Sequence, residues 1–143
     1  EMRGDHRACD SPLERGDSIA MLHLLPKVTG HALRAALILD AEPYPYDKWI
    51  AKAAGEKPVG RIVLAGVERI MEMVSSGGLL QPGTQDDHPI TLELRAIRQT
   101  LIDTADERCV YGEWLRRWWH SIDEARTATR SLNWSHDTRE TAG

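Results

Sequence analysis

The amino-acid sequence predicts an all-α fold, an antiparallel bundle of four to five helices. Three observations carry this. Apolar residues recur every three to four positions over long stretches, proline and glycine punctuate those stretches at their ends, and the period-two alternation of strands is nearly absent. The β-branched run Arg61-Ile62-Val63-Leu64 is the nearest thing to a strand signal. It belongs to a longer stripe of period 3.6, and that length favours helix.

Residues 1–10 are polar and aperiodic and read as a tail or linker ahead of a bundle over residues 11–134. A second polar tail follows over 135–143. Ser11-Pro12-Leu13-Glu14 reads as a helix start: Ser11 can cap, Pro12 suits the first helical position, and Glu14 can close a capping box. Ile19, Leu22, Leu25, Ala32, Ala36 and Leu37 then follow helical spacing. Pro26 removes the amide that would bond to Leu22, so a kink or break is expected there. The helix should end before Glu42-Pro43-Tyr44-Pro45, because each proline turns its predecessor away from the α region.

A short helix is expected over Tyr46 to Ala54, stopped by Gly55, and Pro58 opens the next. Its stripe is Val59, Ile62, Val63, Val67, Ile70, Met73 and Val74, with Ala65 and Gly66 small enough for close helix contact; Ser75-Ser76-Gly77-Gly78 ends it. A polar loop over Gln81 to His88 leads into a helix from Pro89 marked by Ile90, Leu94, Ile97 and Leu101. The pattern weakens over Asp106 to Gly112. A last long helix then carries Trp114, Leu115, Trp118, Ile122, Ala125 and Leu132.

Bulk properties narrow the function classes. The chain has 143 residues, 41% hydrophobic and 28% charged, which suits one globular domain and is too apolar for disorder. A net charge of −4 argues against wholesale nucleic-acid binding, which needs a basic face. Cys9 and Cys109 lie far apart and form no CxxC pair, which points to free thiols in a reducing compartment. No apolar run approaches the roughly 18 residues of a membrane span, and the start has no signal-peptide core, so a cytoplasmic location is expected. A start at Glu1 rather than Met reads as a processed or truncated chain, or a domain cut from something longer.

The segment richest in binding chemistry is Tyr44-Pro45-Tyr46-Asp47-Lys48-Trp49, which with Pro43 just before it makes a turn of two prolines and three aromatics that opens a helix. Asp47 suits the positive end of the helix dipole, Lys48 can meet an anion, and Tyr46 or Trp49 can stack on a ring. The competing reading is a packed helix–helix corner with Trp49 in the core and Lys48 in solvent.

The stretch from roughly Gly16 to Ala54 combines a long helix, Ala35-Ala36-Leu37-Ile38-Leu39-Asp40, and a Pro-Tyr-x-Lys-Trp corner made by Pro45, Tyr46, Lys48 and Trp49. In this it resembles the C-terminal helical domain found behind the minimal nucleotidyltransferase domains of bacterial proteins. The resemblance covers about a third of the chain. In such proteins an N-terminal α/β domain carries the chemistry. A Gly-Ser turn there holds the nucleoside triphosphate, and an Asp-x-Asp pair holds the Mg ions that bridge its phosphates. This sequence has neither signature, and Asp86-Asp87 is adjacent rather than alternate.

The resemblance therefore implies an accessory, substrate-binding domain whose catalytic partner is an N-terminal nucleotidyltransferase domain. Tyr46, Lys48 and Trp49, with His31, would wall a small-molecule acceptor cleft. It transfers no catalytic residue to this chain.

Two other readings stand beside it. The first is a helical homodimerisation or partner-docking module. Trp114 and Trp118 share a helix face and Trp119 points about 100° away, so Trp118 and Trp119 are candidate interface residues. The second is a HEPN-type endoribonuclease, whose Arg-then-His signature is matched by the spacing of Arg130 and His136 near the C-terminus.

The remaining polar groups read as structural or solvated. His6, Cys9 and Asp10 have no second cluster to complete a metal's ligand set, so no metal site is expected. His23 and His31 return to one helix face after about two turns and can line a groove there or cap the kink at Pro26. Arg116, Arg117 and Arg126 against Asp123 and Glu124 read as a salt-bridged, solvated face.

Overall fold

The structure, a computed structural model, describes residues 9, 11–81 and 87–108. The chain divides into two compact units, Glu1–Thr104 and Ala105–Gly143. Of the second, residues 105–108 are described; 105–107 continue a helix and 108 is a turn. The expected last helix, with Trp118, Trp119, Arg130 and His136, lies outside the described residues, as do His6 and Asp10.

The first unit is all-α, and no strand occurs among the described residues. Among the described residues a leading helical segment is followed by four helices: α1 Ser18–Leu39, α2 Ile50–Gly55, α3 Pro58–Ser75 and α4 Pro89–Glu107. A 3-10 turn, Asp47–Trp49, leads into α2, and another, Gly78–Leu80, follows α3. No helix among the described residues is long and apolar enough to cross a membrane.

The chain's first break falls at Gly16 rather than at Pro26. Residues 11–14 are already helical, so Ser11 lies inside the leading helical segment instead of capping a long helix. Gly16 ends that segment at φ +65, a left-handed conformation that costs glycine little. The Gly16 amide donates to the Leu13 carbonyl at 3.1 Å and the Asp17 amide to the Pro12 carbonyl at 2.8 Å, the paired bonds of a Schellman stop. Asp17 then caps α1, its carboxylate accepting from the Ala20 amide at 3.0 Å. Cys9, expected in a polar tail, is helical and buried.

α1 runs unbroken through Pro26. Thr29 turns its hydroxyl back onto this stretch, donating to the Leu25 carbonyl at 2.9 Å. The buried stripe of α1 is Met21, Leu25, Val28, Ala32 and Ala36, with Leu33 and Leu37 beside it. Ile19 and Leu22, expected in that stripe, are exposed. Counting back one turn from Leu25 reaches Met21, and Ile19 and Leu22 fall to one side of that line.

α1 stops at Asp40, and Ala41 adopts φ +58, unusual for a residue with a side chain. Asp40 then reaches across to α3. Its carboxylate accepts from the amides of Val59 and Gly60, each at 3.0 Å. Lys57, at the N-cap of α3, supplies no capping side chain, so Asp40 satisfies amides that α3 cannot pair internally. This ties the end of α1 to the start of α3, as expected for antiparallel neighbours. Asp40→Ala is expected to lower stability by about 1–2 kcal/mol, and Asp40→Asn, which keeps an acceptor, by roughly half that. Urea midpoints of the two variants check the ranking; an unchanged midpoint in Asp40→Ala would remove the capping role.

α3 begins and ends where expected, Pro58 in its first turn and Gly77 in the left-handed region after it. Val59, Val63, Gly66 and Ile70 are buried, whereas Ile62 from the expected stripe is exposed. α4 buries Ile90, Leu94, Ile97 and Leu101 as its spacing predicts. Gly66 faces Ile97 and Arg69 pairs with Glu93 at 2.7 Å, so advancing along α3 retreats along α4, and the two run antiparallel. The Glu93 hydrogen bond holds the Arg69 guanidinium's pKa above its ordinary value.

Candidate binding corner

Residues 42–46 form an irregular segment between α1 and the turn that opens α2. Pro43 and Pro45 turn their predecessors Glu42 and Tyr44 away from the α region, and Tyr46 continues the segment at φ −56 and ψ 145, close to polyproline geometry. The Trp49 amide donates to the Tyr46 carbonyl at 2.8 Å, closing the 3-10 turn. Ile50 and Ala54 anchor α2 in the core. That anchoring turns Ala51 and Lys52 outward and leaves Ala53 half-buried at the core's edge.

The corner is displayed rather than packed. Tyr44 is 52% exposed, Tyr46 79% and Trp49 52%, which corrects the alternative that put Trp49 in the core. With Ile50 taking the inward position, Trp49 one residue earlier is about 100° away. Lys48 is exposed, as either reading required.

The cations around the corner fall into two groups. Arg34, from α1, ion-pairs with Asp47, and its guanidinium carbon lies 6.0 Å from the Tyr44 ring centre. Lys57 ion-pairs with Glu42, and that hydrogen bond holds the Lys57 ammonium's pKa above its ordinary value. These two pairs fasten the segment at both ends.

Lys48 and Lys52 form no ion pair among the described residues. Their ammonium nitrogens lie 5.5 and 6.0 Å from the Trp49 ring centre. A shallow groove of about 390 Å³ runs beside the indole, lined by Pro45, Trp49, Lys52, Ala53 and Glu56.

Three of the four expected site residues, Tyr46, Lys48 and Trp49, are therefore neighbours on one exposed turn. His31 is half-buried on α1, one turn before Arg34, and does not line the groove. The sequence reading missed Lys52, Arg34 and Asp40. Lys52 was detectable, since it stands four residues after Lys48 on a predicted helix. Arg34 lies 13 residues from Asp47, and no local pattern links them.

A smaller pocket of about 150 Å³ lies beside Met73, Gly78, Gln81 and His88. Expected in a polar loop, His88 is buried, and it caps α4. The Ile90 amide donates to Nδ1 at 3.2 Å, which leaves Nε2 as the donor to the Gln81 carbonyl at 3.2 Å. Both ring nitrogens are thus committed to structure. No group of three or more potential metal ligands occurs among the described residues.

Compared with known protein families, characterised proteins and solved structures, the chain matches none.

Proposed function

We propose that this chain is a helical accessory and substrate-binding domain that works beside a catalytic domain of nucleotidyltransferase type. Its corner, Tyr46, Lys48 and Trp49, forms one wall of an acceptor cleft. The observation that carries the reading is the indole of Trp49, half in solvent, with the ammoniums of Lys48 and Lys52 over it and no carboxylate bonded to either lysine among the described residues. A corner built only for packing would bury its largest ring. This one buries Ile50 and Ala54 and leaves the rings and two cations available. The Pro-Tyr-x-Lys-Trp resemblance adds the kind of neighbour. In this reading metal and triphosphate chemistry belong to that neighbour, and this domain binds and orients the acceptor.

The test is the reading frame around this segment. It is expected to encode, upstream, a strand followed by a Gly-Ser turn and an Asp-x-Asp pair. A frame that encodes no such segment, with no adjacent gene supplying one, would overturn the reading.

A further inference from the structure

We propose that the groove beside Trp49 takes a small anion carrying a flat ring, of the class of a nucleoside monophosphate or an aryl phosphate. This rests on the reading of the corner as a binding wall and names what the wall binds. The groove offers two kinds of surface. Pro45, Trp49 and Ala53 give it an apolar surface that includes the half-exposed indole. Lys52, in the groove lining, and Lys48, about one turn earlier, place their ammoniums 6.0 and 5.5 Å from the centre of the indole that the groove runs beside.

An exposed ammonium resting on an aromatic face is weakly held. A phosphate offers each lysine a stronger, charge-assisted partner. The lysines then swing from the ring to the anion, and the freed indole face receives the ligand's ring. The ring supplies stacking area and the anion supplies charge, so a ligand with one of the two uses half the site.

Glu56 is the carboxylate in the groove lining, about one turn beyond Lys52. It gives the groove a direction, with the anion at the lysine end. It also disfavours a ligand whose charge extends along the whole groove. That, with the net charge of −4, separates this site from a track for a nucleic-acid strand.

The test is titration of the full chain with adenosine 5′-monophosphate, adenosine and inorganic phosphate, read by calorimetry and by shifts of the tryptophan indole N–H signals. The monophosphate is expected to bind with a Kd on the order of 1 mM or tighter, and adenosine and phosphate each about tenfold more weakly. Trp49→Leu should weaken the monophosphate about tenfold and leave phosphate unchanged. Lys48→Gln with Lys52→Gln should reduce the monophosphate to the affinity of adenosine. Glu56→Gln should tighten it by roughly twofold to fivefold, because a like charge is removed.

These side chains are exposed, and unchanged circular dichroism confirms that each variant folds. Equal binding of phosphate and monophosphate, or of adenosine and monophosphate, would overturn the proposal. So would a Trp49→Leu variant that binds as the parent does, or a single-stranded oligonucleotide that outcompetes the monophosphate. Any of these removes the ligand class and leaves the accessory-domain reading to stand or fall on the upstream reading frame.

Discussion

Gly60→Ala is expected to destabilise the fold by about 3 kcal/mol, the upper end of what overpacking costs. A Cβ at this position would lie 2.4 Å from the Ala54 carbonyl oxygen and within 2.9 Å of the Ala54 Cα and carbonyl carbon. Those atoms are backbone, so no rotamer change relieves the clash. The Ala54 carbonyl also accepts the Lys57 amide at 3.1 Å, and that turn joins α2 to α3. Moving it disturbs the Gly60 amide bond to Asp40 as well. Helix propensity favours alanine over glycine by about 1 kcal/mol, which offsets only part of the loss.

Urea unfolding followed by circular dichroism measures the effect. Because α2 carries Lys52 and follows directly from Trp49, the same substitution should also weaken ligand binding at the corner without touching a groove residue. Gly16→Ala provides the contrast. It meets no atom within 4 Å, so only the left-handed backbone is strained and about 1 kcal/mol is expected. A Gly60→Ala midpoint at or above that of Gly16→Ala would show that the α2–α3 turn yields more easily than its geometry implies.

The contrast between these two glycines shows what a sequence does and does not disclose. Helix periodicity placed α3 and α4 closely, because Val59, Val63 and Ile70, and Ile90, Leu94, Ile97 and Leu101, repeat on one face and proline marks both starts. It misplaced the start of α1 because capping is a local competition. Ser11 and Asp17 both look like caps, and the left-handed Gly16 between them decides. Pro26 leaves α1 unbroken. Losing one amide bond disrupts a helix less when the neighbouring turns, here Met21, Leu25 and Val28, are fully buried.

The candidate site was partly legible in the same way. The residue types of the corner announced a rigid turn, and their order predicted which could stack and which could meet an anion. Exposure could not be read, since Trp49 and Ile50 are both large and apolar and only the phase of α2 against the core chooses between them. Long-range partners were invisible. Asp40 capping α3 and Arg34 holding Asp47 depend on how chain segments 13–20 residues apart return to each other.

Ile97→Ala is expected to lower stability by about 3 kcal/mol, within the 2–5 kcal/mol typical of emptying a buried aliphatic site. Ile97 is 3% exposed and packs against Gly66, where a Cβ would lie 2.6 Å from its Cγ1 and 2.9 Å from its Cδ1. The missing side chain of Gly66 is thus the space that Ile97 occupies. Gly66→Ala alone should cost about 1–2 kcal/mol, because Ile97 is branched at Cβ and has few rotamers to retreat into.

In the double variant the alanine methyl at position 66 enters part of the volume that the shortened residue 97 vacates. The two losses should therefore not add, and the double variant should be more stable than their sum by about 1–2 kcal/mol, as coupling between touching residues allows. A denaturant cycle over the four proteins measures the coupling. Additive losses would mean that α3 and α4 separate rather than interlock when either residue changes, and their close crossing would then rest on the surrounding leucines and isoleucines instead of on this glycine.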